Sequence, residues 1–245
     1  MSGIRLNRAL SLLGICSRRD ADKLIEAGEI QVNAVPIKQH GTKISETDVV
    51  FFSGKRYSLS QSSLSKKIWI YYKPKGLITT HKDERNRPTV FEDLKKKIKE
   101  RVISVGRLDL NSEGLLLVTN DNEFAKYAES PKTAWERRYK VRLFGIPSDY
   151  VISKIGKGIE IDKIKYGSVK IEIINEPKGK NCWVNCVLKE GKNREIRKLF
   201  SHFGIMVNRL IRYRYGPYEL GSLAPYQIIK TDFIGYSQSS TNEAT

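Results

Sequence analysis

The sequence has few cysteines and no long hydrophobic run. Its three cysteines are an odd number, which is typical of a reducing compartment and not of a disulfide framework. No apolar run approaches the roughly 20 residues that span a bilayer, and residues 1–14 lack the apolar core and the cleavage pattern of a signal peptide. We therefore expect a soluble, cytoplasmic protein without membrane association.

The spacing of cysteine and histidine residues also excludes an obvious metal site. Cys182 and Cys186 lie on the same face of a strand-like run. No second pair of cysteine or histidine residues is spaced to complete a tetrahedral site. The pattern favours packing of both cysteines in a core and predicts no metal.

Acidic residues are scarce relative to basic ones. The 44 Lys and Arg against 27 Asp and Glu give a net charge of +17, and residues 1–60, with 9 basic and 6 acidic residues, carry only +3 of it. This balance favours an anionic partner, either a nucleic acid or an anionic membrane surface, and with no membrane segment we expect RNA or DNA. The remaining +14 lies beyond residue 60, so a binding surface must extend over the C-terminal part of the chain.

The chain is longer than one average domain, and its 40% hydrophobic content is ample for a packed core. A Ser-rich, apolar-poor stretch near residue 62 is typical of a flexible linker. We predict a small domain at 1–60, a linker at 61–67, a larger domain at 68–236 and a disordered tail at 237–245. In the larger domain β-patterned segments dominate, including 68–72 paired with 77–80, and 166–174. They predict an α+β fold with a large, mainly antiparallel mixed sheet and helices packed at its faces.

The small domain begins with two predicted helices. The second starts at a capping box, Ser17-Arg18-Arg19-Asp20, and ends at Gly28. Arg18 and Arg19 lie in its first turn, where the helix dipole disfavours cations but favours a bound phosphate. They are either a solvated pair of charges or phosphate contacts, and the pattern alone leaves both interpretations open.

The most informative stretch of the larger domain is a polar turn between two apolar runs. Residues 102–105 and 115–118 predict buried strands, and Gly106-Arg107-Leu108-Asp109 lies between them. Asp is common in turns because its side chain shapes the backbone. The alternative is a carboxylate that packing on both sides holds in position for a substrate.

Three further segments contain candidate binding residues. Residues 193–203 predict a helix with a buried apolar stripe, and Arg194 and Arg197 lie on a different face, which is either solvated or a binding surface. Tyr139 follows two arginines on a predicted strand, where the pattern by itself indicates an ordinary inward aromatic residue. Residues 208–217 interleave cations with aromatics, as in a surface that grips an RNA backbone and stacks bases, although a plain amphipathic strand has the same alternation. The residues of the predicted helical stripe are Ile196, Leu199, Phe200 and Phe203.

The motifs at 106–121 and in the first 55 residues resemble those of a known enzyme family. Gly106-Arg107-Leu108-Asp109, followed by Asn-Ser-Glu-Gly-Leu-Leu-Leu-Val-Thr-Asn-Asp at 111–121, resembles the catalytic motif of the RNA pseudouridine synthases of the RsuA/RluB/RluE/RluF type, and is most similar to the RluB branch. Residues 5 to about 55 resemble the S4 RNA-binding domain, through Cys16-Ser17-Arg18-Arg19 and the run Gly-Glu-Ile-Gln-Val-Asn at 28–33, with Cys16 in place of the usual small residue.

The resemblance implies roles for individual residues. Asp109 is the expected catalytic carboxylate, Tyr139 is expected to stack on the target base, and Arg197 is expected to pair with the catalytic Asp. Glu195 replaces the usual Gln of the family, which leaves its contact open. The residues expected to contact RNA are Arg18, Arg19, Arg107, Lys192, Arg194, Leu210 and Arg212.

The implied activity is conversion of a uridine in ribosomal RNA to pseudouridine, with no cofactor. The expected partner is 23S ribosomal RNA or a pre-ribosomal particle, bound by a monomer. Two alternatives are an RsuA-like enzyme acting on 16S ribosomal RNA and a catalytically silent S4-type ribosome-assembly factor. The joint presence of Asp109, Tyr139 and Arg197 argues against the silent factor. A DNA-binding regulator has no support, because no helix-turn-helix spacing or dimer element is evident.

Overall fold

The computed structural model describes residues 3–59, 65–174 and 179–236. The chain divides into two compact units. The smaller unit runs to Lys66 and also includes Leu94–Val102, a segment that the sequence prediction assigns to the larger domain at 68–236. The larger unit consists of Lys67–Asp93 and the chain from Ile103 onward. Residues 61–64 of the predicted linker and the predicted tail at 237–245 lie outside the described residues.

The α-helices of the described residues are α1 (Leu6–Leu12), α2 (Arg18–Glu26), α3 (Val90–Lys95), α4 (Asn122–Glu129), α5 (Asp149–Lys157) and α6 (Glu195–His202). The strands up to the catalytic-type motif and through it are β1 (Ile4–Arg5), β2 (Gln31–Val32), β3 (Val35–Pro36), β4 (Lys43–Ile44), β5 (Val49–Phe52), β6 (Lys55–Ser58), β7 (Ile68–Lys73), β8 (Ile103–Val105) and β9 (Glu113–Thr119). The later strands are β10 (Arg137–Phe144), β11 (Ile159–Ile161), β12 (Ile164–Tyr166), β13 (Lys170–Ile173), β14 (Asn181–Leu188), β15 (Met206–Tyr215), β16 (Tyr218–Glu219) and β17 (Ile228–Thr231).

The smaller unit packs α1 and α2 with a four-stranded sheet in the order β3-β2-β5-β6 and a separate β1-β4 pair. The predicted start of α2 is confirmed, because the Ser17 hydroxyl accepts the Asp20 backbone N–H at 3.1 Å. Gly28 follows the helix with φ of +74°, a conformation that favours glycine at a helix C-terminus. Leu6, Leu10 and Ile25 are among the core residues that this pairing of helices buries.

The larger unit is built on one mixed sheet, which is nine-stranded over the described residues. Its central order is β13-β14-β10-β15-β9-β7-β17, with β16 paired to β15 and β8 paired to β9. Its strand pairs are antiparallel except the one between β9 and β15, which is parallel. The prediction of an α+β fold with a mainly antiparallel mixed sheet is confirmed.

The sheet buries the residues that alternation assigns to its inner face. Along β14 every second residue is buried, and Cys182 and Cys186 are both on that side, as the sequence predicts. Burial raises the pKa of both thiols. No helix in the described part of the chain is long and apolar enough to cross a membrane.

The predicted strand pair of 68–72 with 77–80 is wrong. β7 pairs instead with β9 on one side and β17 on the other, so both of its edges are occupied. The segment at 77–80 turns toward the motif at 106–109, where the Thr79 hydroxyl donates to the Leu108 carbonyl at 2.8 Å. Ile78 makes only an isolated bridge to Thr89.

Two further element boundaries differ from the prediction. The segment 166–174 is not one strand, because the Gly167 N–H donates to the Glu190 carboxylate at 2.6 Å and breaks the run between β12 and β13. The helix predicted at 193–203 begins at Glu195, since Arg194 takes a left-handed conformation with φ of +52°. Glu195 joins the buried stripe of this helix, whereas Phe203 is its half-buried C-cap residue.

Candidate active site

Asp109 lies in a turn that the two flanking strands hold in place. β8 enters the turn and β9 leaves it, and the two strands pair with each other from Val105 and Leu117 outward. Inside the turn the Ser112 N–H donates to the Asp109 carbonyl at 3.0 Å. The Asp109 side chain is half-buried, and within the described residues its carboxylate has no hydrogen bond or ion pair. The backbone therefore fixes the position of the carboxylate, and its oxygens remain available to a bound substrate.

A buried lysine supports the same turn. The Lys73 ammonium, which is fully buried at the end of β7, donates to the carbonyls of Pro74 at 2.9 Å, Asp109 at 3.1 Å and Ser112 at 2.8 Å. Burial lowers its pKa to about 8, although the nearby Asp109 and Glu113 carboxylates oppose the shift. Sequence reasoning missed Lys73. The available signal was a lysine directly after the apolar run at 68–72.

A cavity of about 670 Å³ opens beside this turn. Of the residues expected to be catalytic or to contact RNA, those that line it are Arg107, Asp109, Tyr139, Lys192, Arg194, Leu210 and Arg212. Arg197 is not among the lining residues, and Arg18 and Arg19 belong to the smaller unit, where both are exposed. Lining residues that sequence reasoning missed include Glu129 and Glu190, whereas Arg137 and Tyr215 lie in segments that the sequence singled out but received no individual role.

Two adjacent strands place an aromatic ring and a buried cation in the cavity wall. Tyr139 on β10 lies directly across from Arg212 on β15. Arg212 is only 3% exposed; its Nε donates to the Leu115 carbonyl at 2.9 Å and its guanidinium stacks 4.9 Å from the Tyr215 ring centroid. Its Nη2 is buried and has no hydrogen-bond partner in the described part of the chain. The cavity thus contains a desolvated positive charge beside a tyrosine ring.

Arg137 joins three parts of the cavity wall. Its Nη1 donates to the carbonyls of Trp135 at 3.2 Å and Lys189 at 2.6 Å, and its Nη2 donates to the Tyr215 hydroxyl at 3.3 Å. These bonds tie the start of β10 to the end of β14 and to β15. The position of Tyr139, two residues further along β10, is restrained as a consequence.

The expected ion pair between Arg197 and Asp109 is not formed. Arg197 instead donates to the Val207 carbonyl at 2.8 Å and to the Asn111 carbonyl at 2.9 Å. Burial lowers the pKa of Arg197 and Arg194 lowers it further, while Asp109 acts in the opposite direction, so Asp109 and Arg197 interact electrostatically without direct contact. The family resemblance implies that Arg197 pairs with the Asp109 carboxylate. In the structure its guanidinium donates instead to the carbonyl of Asn111, two residues beyond Asp109.

The loop before α6 is held by acidic side chains. The Lys192 ammonium forms an ion pair with Glu190 and donates to the Lys165 carbonyl at 2.6 Å, so this predicted RNA contact is engaged within the protein. Glu195 is 4% exposed, and its Oε2 accepts the Lys192 backbone N–H at 2.9 Å. Burial raises the pKa of the Glu195 carboxyl, and the neighbouring Glu190 raises it further.

Electrostatics and donor chemistry limit what this site can bind. The cavity combines an open carboxylate, a tyrosine ring and several arginines, a set suited to a nucleotide with its anionic backbone. Over residues 3–59, 65–174 and 179–236 no group of three or more His, Cys, Asp or Glu side chains is arranged to hold a metal ion.

The chain matches known proteins along nearly its whole length. Residues 67–202 match the family model described as RNA pseudouridylate synthase, and residues 4–50 match that of the S4 domain. The chain is 46% identical over 221 residues to an uncharacterized RNA pseudouridine synthase of Rickettsia conorii, covering 90% of this chain and 93% of the relative. It is 37% identical to the ribosomal large subunit pseudouridine synthase B of Shigella flexneri, covering 88% of this chain and 75% of the relative. A crystal structure of a pseudouridylate synthase shares the fold, with a TM-score of 0.62 and 24% identity over 94% of this chain and 96% of that one.

Proposed function

The chain belongs to the RNA pseudouridine synthase family and carries an S4 domain, and on that premise we propose that it isomerises a specific uridine of 23S ribosomal RNA with Asp109 as the catalytic carboxylate. The observation that carries this assignment is the state of Asp109. Its backbone is fixed by two strands and by Lys73, while its carboxylate lines the cavity without a partner in the described residues. A side chain that only shaped the turn would have its oxygens bonded to nearby backbone N–H groups.

The reaction uses only groups that the chain supplies. The bond between N1 and the ribose C1′ breaks, the uracil turns, a bond forms between C5 and C1′, and the proton lost from C5 is balanced by one gained at N1. The product is an isomer of the substrate, so no co-substrate is consumed. Asp109 acts on the ribose, either as a nucleophile at C1′ or as a base at C2′, and both roles require the ionised carboxylate.

Two side chains fix the backbone of the turn that carries Asp109, which supports this chemistry. Lys73 holds the carbonyl of Asp109 itself, and Arg197 holds that of Asn111. A carboxylate whose backbone is restrained in this way does not have to be reoriented when the substrate arrives, which is a recognised contribution to rate. In this proposal Arg197 is therefore a positioning residue that holds the turn.

The target base must leave the RNA stack to reach the cavity. Tyr139 stacks on the extruded ring, Leu210 packs against it, and Arg212 contributes a positive charge in the wall. Arg107, the exposed residue of the turn, occupies the gap that the base leaves. Arg194 contacts the RNA backbone beside the cavity.

The S4 domain and the named relatives support the choice of RNA target. Arg18 and Arg19 at the N-terminus of α2 contact phosphates of the same RNA and do not read its bases. Relatives named ribosomal large subunit pseudouridine synthase B are 35–37% identical to this chain, which supports 23S ribosomal RNA as the target. In this proposal a monomer binds this RNA, either free or in a pre-ribosomal particle.

Asp109→Asn tests the assignment because it preserves shape and removes the ionisable group. We expect no detectable pseudouridine in 23S ribosomal RNA and nearly unchanged RNA affinity, measured by carbodiimide mapping and by filter binding. Asp162→Asn, a replacement in the exposed turn between β11 and β12, is the matched control and should behave as wild type. Residual Asp109→Asn turnover above roughly a hundredth of wild type contradicts a catalytic role, since general base or nucleophile loss costs at least that much. Modification confined to 16S ribosomal RNA contradicts the target.

A further inference from the structure

Two glutamates and one lysine form a cluster in the cavity wall that the proposed chemistry does not use. Glu190, Lys192 and Glu195 all line the cavity. The Glu195 Oε2 accepts the Lys192 N–H, but its Oε1 is buried and receives no N–H donor from the described residues. The neighbouring side chains that interact with this carboxyl are Glu190 and Lys192.

One ammonium cannot balance the half-buried Glu190 carboxylate and the buried Glu195 carboxylate together. Both oxygens of Glu190 are already engaged, Oε1 by the Gly167 N–H and Oε2 by the Lys192 ammonium. Although burial opposes it, these bonds lower the pKa of Glu190, whereas the pKa of Glu195 is raised by burial and by Glu190. Glu195 is 4% exposed and forms no ion pair with a described residue, whereas both oxygens of Glu190 accept hydrogen bonds, so a proton held by the two carboxylates resides on Glu195.

The proton matters because this cluster shapes the loop that lines the cavity. The Glu195 carboxyl accepts a hydrogen bond from the Lys192 backbone N–H, and between the two residues Arg194 has a left-handed conformation that is strained for a non-glycine residue. The groups that act on Glu195 are Glu190 and Lys192. The Lys192 ammonium also donates to the Lys165 carbonyl and lies 5.7 Å from the Tyr166 ring centroid. Ionisation of Glu195 adds a negative charge here and sets two carboxylates against each other.

We propose that Glu195 is a positioning residue whose neutral carboxyl donates a hydrogen bond to Glu190 and thereby holds the loop at 190–194 in the form that lines the active site. This inference rests on the proposed function for its effect on turnover. Protonated Glu and Gln present the same donor and acceptor, so the amide should replace the acid.

The first test is the pH dependence of kcat/KM for pseudouridine formation. Wild type should lose activity, approaching about tenfold per pH unit, once the pH exceeds the pKa of Glu195. Glu195→Gln should match wild type at acidic pH and lack this decline, and Glu195→Ala should be impaired throughout. Glu172→Gln, which removes an exposed carboxylate on β13, should keep the wild-type profile. An unchanged alkaline decline in Glu195→Gln overturns the inference, as does a loss at acidic pH equal to that of Glu195→Ala.

A second measurement needs no catalysis. Amide hydrogen exchange of the loop at 190–195, compared between wild type and Glu195→Gln at the same pH, cancels the intrinsic pH dependence of exchange. The two proteins should exchange alike at acidic pH, and wild type should exchange faster at alkaline pH. Equal exchange at every pH refutes the inference. If no protein forms pseudouridine at any pH, the proposed function fails and the exchange ratio alone decides the role of Glu195.

Discussion

Replacing Gly114 with alanine tests the close approach of β9 and β15 beside the catalytic turn. Gly114 has a φ of +105°, and a Cβ built on it lies 2.3 Å from the Arg212 carbonyl oxygen and 2.9 Å from the Arg212 nitrogen. Both contacts are to backbone, so no side-chain rotation relieves them. The alanine methyl must separate the two strands where they pair in parallel, at Arg212 and Gly114.

The cost has two parts. A non-glycine residue in such a backbone region costs about 1–3 kcal/mol, and forcing an extra methyl into a packed site costs about another 1–3 kcal/mol. The expected loss is therefore roughly 2–6 kcal/mol, a large share of the 5–15 kcal/mol that typically stabilises a domain. Gly221→Ala is the matched control, because Gly221 also has a positive φ, +58°, but nothing within 4 Å of its added Cβ. Gly221→Ala should therefore lose only about 1–3 kcal/mol, the amount that the positive φ costs a non-glycine residue.

Urea unfolding followed by tryptophan fluorescence measures the difference. All three tryptophans, Trp69, Trp135 and Trp183, lie in the larger unit, so the signal reports the unit that contains the turn. Gly114→Ala should unfold at clearly lower urea than Gly221→Ala. It should also lose turnover while folded, because Arg212 moves relative to Asp109. Equal midpoints and wild-type turnover would show that the strands do not approach as closely as the backbone indicates.

Three further sets of substitutions probe Tyr139, the arginine pair of the smaller unit, and Lys73. Tyr139→Phe should bind RNA containing a flipped-base analogue nearly as wild type does, while Tyr139→Leu loses roughly 1–3 kcal/mol of stacking; equal affinities of the two variants would make Tyr139 a core residue only. Replacing both Arg18 and Arg19 with Ala should weaken RNA binding and lower the slope of log affinity against log salt by up to about 2, without changing which uridine is modified; a collapse of the single-turnover maximal rate at unchanged affinity would speak against phosphate contacts. Lys73→Met removes three hydrogen bonds to carbonyls and should destabilise the larger unit by roughly 2–4 kcal/mol in urea and lower kcat more than RNA affinity; wild-type kcat would exclude Lys73 from positioning Asp109.

The sequence by itself determined the features that depend on neighbouring residues. Ser17 was recognisable as a helix cap because a cap bonds an N–H within the next turn. The inward faces of β10 and β14 followed from alternation, which needs only the pleat of a strand. The motif around Asp109 was recognisable because its strand, turn and strand are contiguous, and the family and the general plan of the fold follow from it.

Only the tertiary structure decided the contacts between residues far apart in the chain. Arg197 donates to Asn111 across 86 positions, and Lys73 to Asp109 across 36, so neither partner could be predicted from spacing. The sequence left the contact of Glu195 open, and the structure shows that this side chain is buried and has Glu190, from the loop at 190–194, as a neighbour. The physical reason is common to all three. An ionisable side chain in the interior needs polar partners from other segments, and those segments are brought together by the whole sheet and not by any local pattern.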